Sequence, residues 1–519
     1  MQSEESAPDE SAGGLMMEEL TEGGAVQSQR RLHNARTALS VAVVPVALIV
    51  LGVASTSLYF WGRDLHRFTQ WLAAYISLFV GQLGLYLLAC YTVQRWSDRS
   101  SAAARWAAVA LVIFFAAASR AVLVPQRPYL SSDVYRFVWD GRVQSAGINP
   151  YRYAPEAAEL SGLRDERIYP NINREDKQWR SPYPPVAQVV FLAIARMWPM
   201  SVTAFKAAMS AFDLLTIILL MLVLARSGID PARAIIFAWH PLVIFEGAHS
   251  GHIEALYIAF LALALLAWSS RKHAFTGISL ALATLVKFYP ALLLPVFLGA
   301  EPGLAPARST RRSEKPTRSI LCEFTVRVIH KRNLAMMVAF GATIVLAYAA
   351  YWGAGGNSFW FLREYVEQEG FVQSGARYFL LDAVRKVVWI PTDVFLVFAA
   401  ASLMAVAVWQ LLRARRDASE VARGALVLIG TYLLLTTPRY AWYYAWLVPF
   451  LCFAPRLGWL YLSCASVLLY LVWYTPLVYP EVPLWLGASL YVPTLAWLGW
   501  DHFSRGRQSE VRTATSRPA

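Results

Sequence analysis

The sequence predicts an all-α polytopic membrane protein, and three observations carry that prediction. Of 519 residues, 57% are hydrophobic and only 16% charged, with a mean hydropathy of +0.41, whereas soluble domains carry about 25% charged residues. The apolar residues fall in runs long enough to span a bilayer. The basic residues gather in the short links between those runs, as the positive-inside rule requires of cytoplasmic loops. Soluble, disordered and disulfide-rich secreted classes are thereby excluded. The balance of 47 Lys+Arg against 34 Asp+Glu, a net +13, would raise the question of nucleic acid in a soluble chain. Here the topology accounts for it, and no nucleic-acid partner is expected. Cys90, Cys322, Cys452 and Cys464 show no CxxC and no metal spacing, so they read as small apolar residues.

The elements follow in order. Residues 1–29 are acidic and Gly/Ser-containing, and 1–36 is expected to be a disordered cytoplasmic tail. Arg30, Arg31 and Arg36 precede an apolar run from about Thr37 to Phe60 that lacks a cleavage pattern, so it is expected to remain as the first span. With the run 70–92 it forms an N-terminal helical hairpin over 37–100. Further runs lie at 103–124, 206–226, 234–248, 252–269, 274–300, 333–352, 391–412, 424–437, 441–454, 457–475 and 484–500. Arg95, Arg99 and Arg105 mark one cytoplasmic link; Arg226 with Arg233, and Arg271 with Lys272, mark two more. The strongest is 301–332, and Arg413 to Arg423 and the tail 505–519 complete the set.

Two segments decide the parity. The run 185–199 is too short to span and reads as an outer-face interfacial helix. The run 274–300 has cytoplasmic flanks on both sides and Lys287-Phe288-Tyr289-Pro290 at its middle. Pro removes a helix hydrogen bond, so two half-helices are expected, with their tip pointing outward. The result is about 14 membrane helices, both termini cytoplasmic, and outer loops at 125–205 and 353–390. The helices of 391–504 form a C-terminal group.

Outward loops on a rigid helical frame are where chemistry tends to reside. Asp133, Arg136 and Asp140 follow i, i+3, i+7 spacing, one face of a short helix. A carboxylate kept ionised near an Arg can serve as a general base; spacing alone leaves open a loop cap with a surface ion pair. His249-Ser250-Gly251-His252-Ile253-Glu254 offers two histidines and a carboxylate at another outward junction. His252 and Glu254 are i, i+2 and do not face each other on a helix, so no metal site is expected and an anion suits the segment better. A polar turn is the plain alternative. Lys287, an unpaired charge near bilayer depth in this reading, marks a site or snorkels to the interface. Arg439-Tyr440 with Trp442, Tyr443 and Tyr444 sits at an outward helix start, where an aromatic belt explains the rings. Arg120 and Asp213 read as a structural ion pair. Outward cations suit a lipid-linked phosphate, and one carboxylate suits proton abstraction from an acceptor hydroxyl.

These residues resemble a known family. Asp133-x-Tyr135 through Gly141 to Gly147-x-Asn149-Pro150-Tyr151 is similar to the first outer loop of bacterial GT-C glycosyltransferases, in the branch of polyprenyl-phosphate-mannose-dependent α-mannosyltransferases. Ser181-Pro182-Tyr183-Pro184-Pro185 resembles the end of that loop. Trp239-His240-Pro241 through Gly251-His252-x-Glu254, Lys287-x-Tyr289-Pro290 and Trp442-Tyr443-Tyr444 resemble later motifs, so the likeness covers roughly 103–454. This group often has Asn where His240 stands and Asn-Asp at Ile253-Glu254.

The resemblance implies a GT-C-like helical bundle with its catalytic module over 101–390. It implies inverting transfer of a hexose, mannose by preference, from a polyprenyl-phosphate donor to a glycan or glycolipid acceptor. Transfer would take place on the outer face of the cell's inner membrane, with Asp133 as base and no cofactor. Tyr135, Arg136, Asp140, Asn149, Tyr151, Tyr183, His249, His252, Glu254, Lys287, Tyr289, Arg439 and Tyr440 become candidate substrate-binding residues. A transporter or flippase of a lipid-linked saccharide, or a non-catalytic scaffold, is the alternative. Transporters often show paired repeats, and no second copy of the broken helix is evident.

Overall fold

The computed structural model describes residues 43–63, 65, 70–96, 101–299, 330–354, 378–474 and 482–515. The tail 1–36, most of the basic link 301–332 and most of the second outer loop, 353–390, lie outside the described residues. Among the described residues the chain is helical, without strands. The helices used below are α1 (Val43–Gly62), α2 (Trp71–Trp96), α3 (Ala102–Leu123), α4 (Asp133–Ser145), α5 (Pro185–Met197), α6 (Val202–Arg226), α7 (Glu254–Ser269), α8 (His273–Thr284), α9 (Tyr289–Leu298), α10 (Lys331–Ala349), α11 (Thr392–Leu412), α12 (Ala418–Thr436), α13 (Leu457–Val472) and α14 (Leu484–Thr515).

Seven of these, α1, α2, α3, α6, α10, α11 and α12, are long and apolar enough to cross a membrane. The expected count of about 14 is not reproduced among the described residues, and the runs 234–248 and 441–454 show why. The first breaks into Ile235–Ala238, Pro241–Ile244 and a π-helical turn, Phe245–Ser250. The second becomes a 3-10 segment, Ala441–Leu447, and a four-residue helix, Val448–Leu451. Both are buried throughout. Their apolarity therefore serves contact with other helices, and hydropathy alone cannot distinguish a buried core segment from one facing lipid.

The expected break at Lys287–Pro290 is present. α8 ends at Thr284, and the chain resumes as a 3-10 turn from Tyr289. It then returns: Gly277, near the start of α8, sits against the Met336 backbone, and Leu298 O, at the end of α9, accepts from Asn333 Nδ2 at 3.0 Å. Both ends of the broken run thus meet the first turns of α10. α5 forms where the short apolar run 185–199 lies, and it packs on α4.

At the centre, Arg120 of α3 and Asp213 of α6 form a buried ion pair, Nε to Oδ2 3.1 Å. Arg120 Nη1 also donates to Ala116 O (3.0 Å) and Ala238 O (3.1 Å). The buried segment 235–250 is held from further sides, as Tyr86 donates to Ile236 O (2.8 Å) and Trp239 Nε1 to Val112 O (3.1 Å). Gly247 lies directly against the Asp213 carboxylate, where a Cβ has no room. Asp213→Ala leaves the buried guanidinium without its counter-charge, and removing one partner of a buried pair costs about 3–5 kcal/mol. Thermal unfolding in detergent is expected to show that loss, with much of it recovered in the Arg120→Met, Asp213→Leu double variant.

Candidate active site

α4 begins at Asp133, whose backbone N–H donates to Ser131 Oγ (3.2 Å). A carboxylate there is favoured by the helix N-terminal partial charge. Its side chain remains 29% exposed, while Val134 to Gly141 behind it are buried. α4 is wedged against α5, with Gly141 packed on Phe191 O and Ala195.

Arg136 and Asp140 share a face, as their spacing predicts, but they turn to each other. Arg136 Nε meets Asp140 Oδ1 at 2.9 Å, with both side chains only 3% exposed. Arg136 also donates to Trp179 O (3.1 Å) and Asp176 O. Asp140 Oδ2 accepts from Ser181 Oγ (2.5 Å) and Gln188 Nε2 (3.1 Å). The surface ion pair left open by the sequence is in fact a buried knot that ties residues 176–188 to α4. Asn149 and Tyr151 do similar work: Asn149 Oδ1 accepts from Tyr151 N (3.0 Å), and Tyr151 Oη donates to Tyr183 O (2.7 Å). Burial, with the Asp133 carboxylate nearby, pushes the Tyr183 hydroxyl pKa up, so this phenol stays protonated and able to donate. Tyr135 is buried within α4.

Asp133 faces His252, with Oδ2 3.7 Å from Nε2. The other ring nitrogen, Nδ1, lies 2.8 Å from Glu246 Oε2, and Tyr470 Oη donates to Glu246 Oε1 at 2.6 Å. The ring is stacked on Trp442, centroids 4.0 Å apart. Carboxylates on two sides and an indole face thus fix the imidazole. Gly251 makes this possible. Its φ of 76° is left-handed, and an added Cβ would meet Lys206 Cγ at 2.9 Å and Val134 Cγ2 at 3.1 Å. A bare backbone here lets the end of the π-helical turn approach α4. π-turns of this kind occur often at functional sites.

Beside this group, Glu254 at the start of α7 pairs with Lys287 at the tip of the broken helix, Oε1 to Nζ 2.5 Å. Lys287 also lies over the Tyr443 ring at 4.6 Å. The sequence alone leaves this lysine unpaired; tertiary packing brings it a carboxylate from 33 residues upstream. Tyr289 donates to Tyr257 Oη (2.9 Å) and packs against Tyr432, Tyr443 and Trp446. Tyr440 stacks on Trp442 at 4.6 Å, and half-buried Arg439 precedes it just beyond α12. His249 is buried against Tyr129 (4.2 Å) and Phe245 (6.0 Å), in the aromatic core rather than beside Asp133.

The structure therefore gathers Asp133, His252, Glu254, Lys287, Tyr289 and Tyr440 around Trp442 and Tyr443, whereas Arg136, Asp140, Asn149 and Tyr151 build the loop that frames them. Sequence reasoning missed Glu246 and Tyr470. Glu246 sits in a mostly apolar run without a helical pairing to His252, and Tyr470 lies 224 residues away. Among the described residues, no three His, Cys, Asp or Glu side chains are grouped to hold a metal ion. The Glu254 pairing gives Lys287→Met a structural cost: a carboxylate only 3% exposed loses its cation. Melting in detergent should fall for Lys287→Met and recover in the Lys287→Met, Glu254→Gln double variant.

Residues 34–301 match the model of a family described as alpha-(1->6)-mannopyranosyltransferase, N-terminal domain, and residues 182–438 match glycosyltransferase family 87. No curated protein and no solved structure matches the chain. The two matched regions overlap across α5 to α9 and together contain Asp133, His252, Glu254, Lys287 and Tyr289, while Tyr440, Trp442 and Tyr443 lie just beyond them. With the first model spanning just over half of the sequence, the chain belongs to the alpha-(1->6)-mannopyranosyltransferase family of membrane glycosyltransferases.

Proposed function

We propose that the protein moves a mannosyl residue, with inversion, from a polyprenyl-phosphate donor to a hydroxyl of a glycan or lipid acceptor, using Asp133 as the general base. The observation that carries this is the half-open carboxylate at the start of α4, set against His252 and near the Lys287–Glu254 pair. The gap of 3.7 Å to His252 is too long for a hydrogen bond, which leaves Asp133 Oδ2 free to accept from a substrate hydroxyl. As the acceptor oxygen bonds to the sugar C1, the C1–O bond to phosphate breaks and polyprenyl phosphate leaves with the electron pair. The acceptor proton passes to Asp133. His252, Lys287 and Arg439 supply positive charge near the leaving phosphate, and protonated Tyr183 supplies a donor on the loop side.

The outer-face assignment rests on how the helices run. Arg226 Nη1 donates to Ser270 Oγ (2.8 Å) at one end of the bundle, next to Arg271 and Lys272. At the other end Lys206 Nζ donates to Leu123 O (3.2 Å), close to Gly251 and α4. The link ends at Arg226, Arg271 and Lys272 thus lie away from Asp133, and the positive-inside rule supports a cytoplasmic side for them. The same reading assigns both termini to the cytoplasm and the protein to an inner membrane.

Two measurements test this. Asp133→Asn is nearly isosteric, and loss of a general base costs typically 10²–10⁴-fold. Turnover of a polyprenyl-phosphate mannose by the purified variant is therefore expected to fall by about 100-fold or more with melting unchanged. Asp140→Asn, placed in the buried knot, is expected to lower the melting point first. Wild-type transfer from a nucleotide sugar without lipid carrier would refute the donor assignment. For orientation, Cys introduced at exposed Asn173 should react with an impermeant thiol reagent in intact cells, and Cys at exposed Lys272 should not. Native Cys90, Cys452 and Cys464 are buried and contribute little background.

A further inference from the structure

A cavity lies far from Asp133. It is about 550 Å³ in volume and sits where α11, α12, α13 and α14 converge, within the size range of small-ligand sites. α12 joins the two places: Glu420 and Arg423 in its first turns line the cavity, while Thr437 to Trp442 beyond its end lead to the active site. A 19-residue helix is roughly 28 Å long, about the depth of the hydrocarbon core.

The lining is cationic. Arg413, Arg415, Arg423 and Arg456 face it, against Glu420 and Asp501. The guanidiniums meet these carboxylates only at long range, Arg456 to Asp501 at 3.5 Å and Arg423 to Glu420 at 3.7 Å, and Glu420 Oε2 accepts instead from Arg416 N at 2.7 Å. Four guanidiniums against two carboxylates leave an excess of two positive charges. Gln410, 1% exposed, lines the same space, and its Nε2 donor has no hydrogen-bond partner. Trp459 and Leu498 form an apolar wall. Next in sequence to lining residues, Trp409, Leu457, Trp500 and Phe503 are 45%, 53%, 69% and 74% exposed, and exposed aromatic residues are enriched at the membrane interface.

We infer that this cavity binds the phosphodiester headgroup of an anionic phospholipid at the end of the bundle opposite the active site. Arg413 and Arg423 would contact the phosphate, Gln410 Nε2 would donate to it, and the acyl chains would leave along Trp459 and Leu498. Basic pockets between membrane helices on the cytoplasmic side bind such headgroups. A surface cluster explained by topology alone would not enclose a buried, unmet donor.

The test uses full-length protein in neutral detergent. Thermal melting is followed on adding short-chain phosphatidylglycerol, phosphatidylcholine or inorganic phosphate, with native mass spectrometry counting retained lipid. Phosphatidylglycerol alone should stabilise, and the Arg413→Gln, Arg423→Gln variant should bind it roughly thirtyfold more weakly. Both side chains are exposed, so the variant should melt like wild type without lipid; if it fails to fold, wild-type retention of phosphatidylglycerol over phosphatidylcholine decides. Equal effects of the two lipids, equal stabilisation by inorganic phosphate, or undiminished binding by the folded variant would overturn the assignment.

Discussion

The guanidinium of Arg120 is the constraint from which the rest of the molecule follows. It neutralises Asp213 on α6, closes onto its own helix at Ala116 O and reaches Ala238 O on the buried segment between α6 and α7. Two charges enclosed among helices are tolerable only when paired and hydrogen-bonded. Satisfying them fixes three pieces of chain at once. Gly247 then passes over the Asp213 carboxylate with no room for a side chain. The π-helical turn to which Gly247 belongs is capped by Gly251, which sets His252 against α4. The position of the imidazole relative to Asp133 is thus inherited from a buried ion pair elsewhere in the core.

The site itself is organised by two further pairings of opposite charge. Glu246, oriented by Tyr470, holds one side of His252, while Glu254 holds Lys287. Each cation is supplied with a carboxylate that limits its field and fixes its place, and the rings of Trp442 and Tyr443 cover both. In the proposed reaction, preorganised charges of this kind would need no rearrangement as the phosphate leaves. Asp133 differs from its neighbours in keeping substantial exposure. Asp140, seven residues on, spends its two oxygens on Arg136, Ser181 and Gln188. Two carboxylates on one short helix are thereby divided into a partly exposed group and a buried structural one by their surroundings alone.

Much of this was legible along the chain. Composition and the lengths of the apolar runs established a helical protein of many spans, because a bilayer imposes one solvent and one thickness on every segment. The arginines between runs indicated which ends lie together, and Pro290 marked the broken helix because it cannot supply a backbone donor. The ion pair of Arg120 with Asp213 was visible too, since charges inside apolar runs require partners. Only the tertiary structure decided that 234–248 and 441–454 are broken, buried segments rather than continuous helices, for hydropathy has the same value against lipid and against protein. It alone gave Lys287 its carboxylate, and Glu246 its role between His252 and Tyr470. It also turned Arg136 and Asp140 inward to build the loop. Those pairings join positions 4 to 224 residues apart. Periodicity and propensity act within a few turns of chain, so contacts of the longer kind are set by how helices pack, which no local pattern encodes.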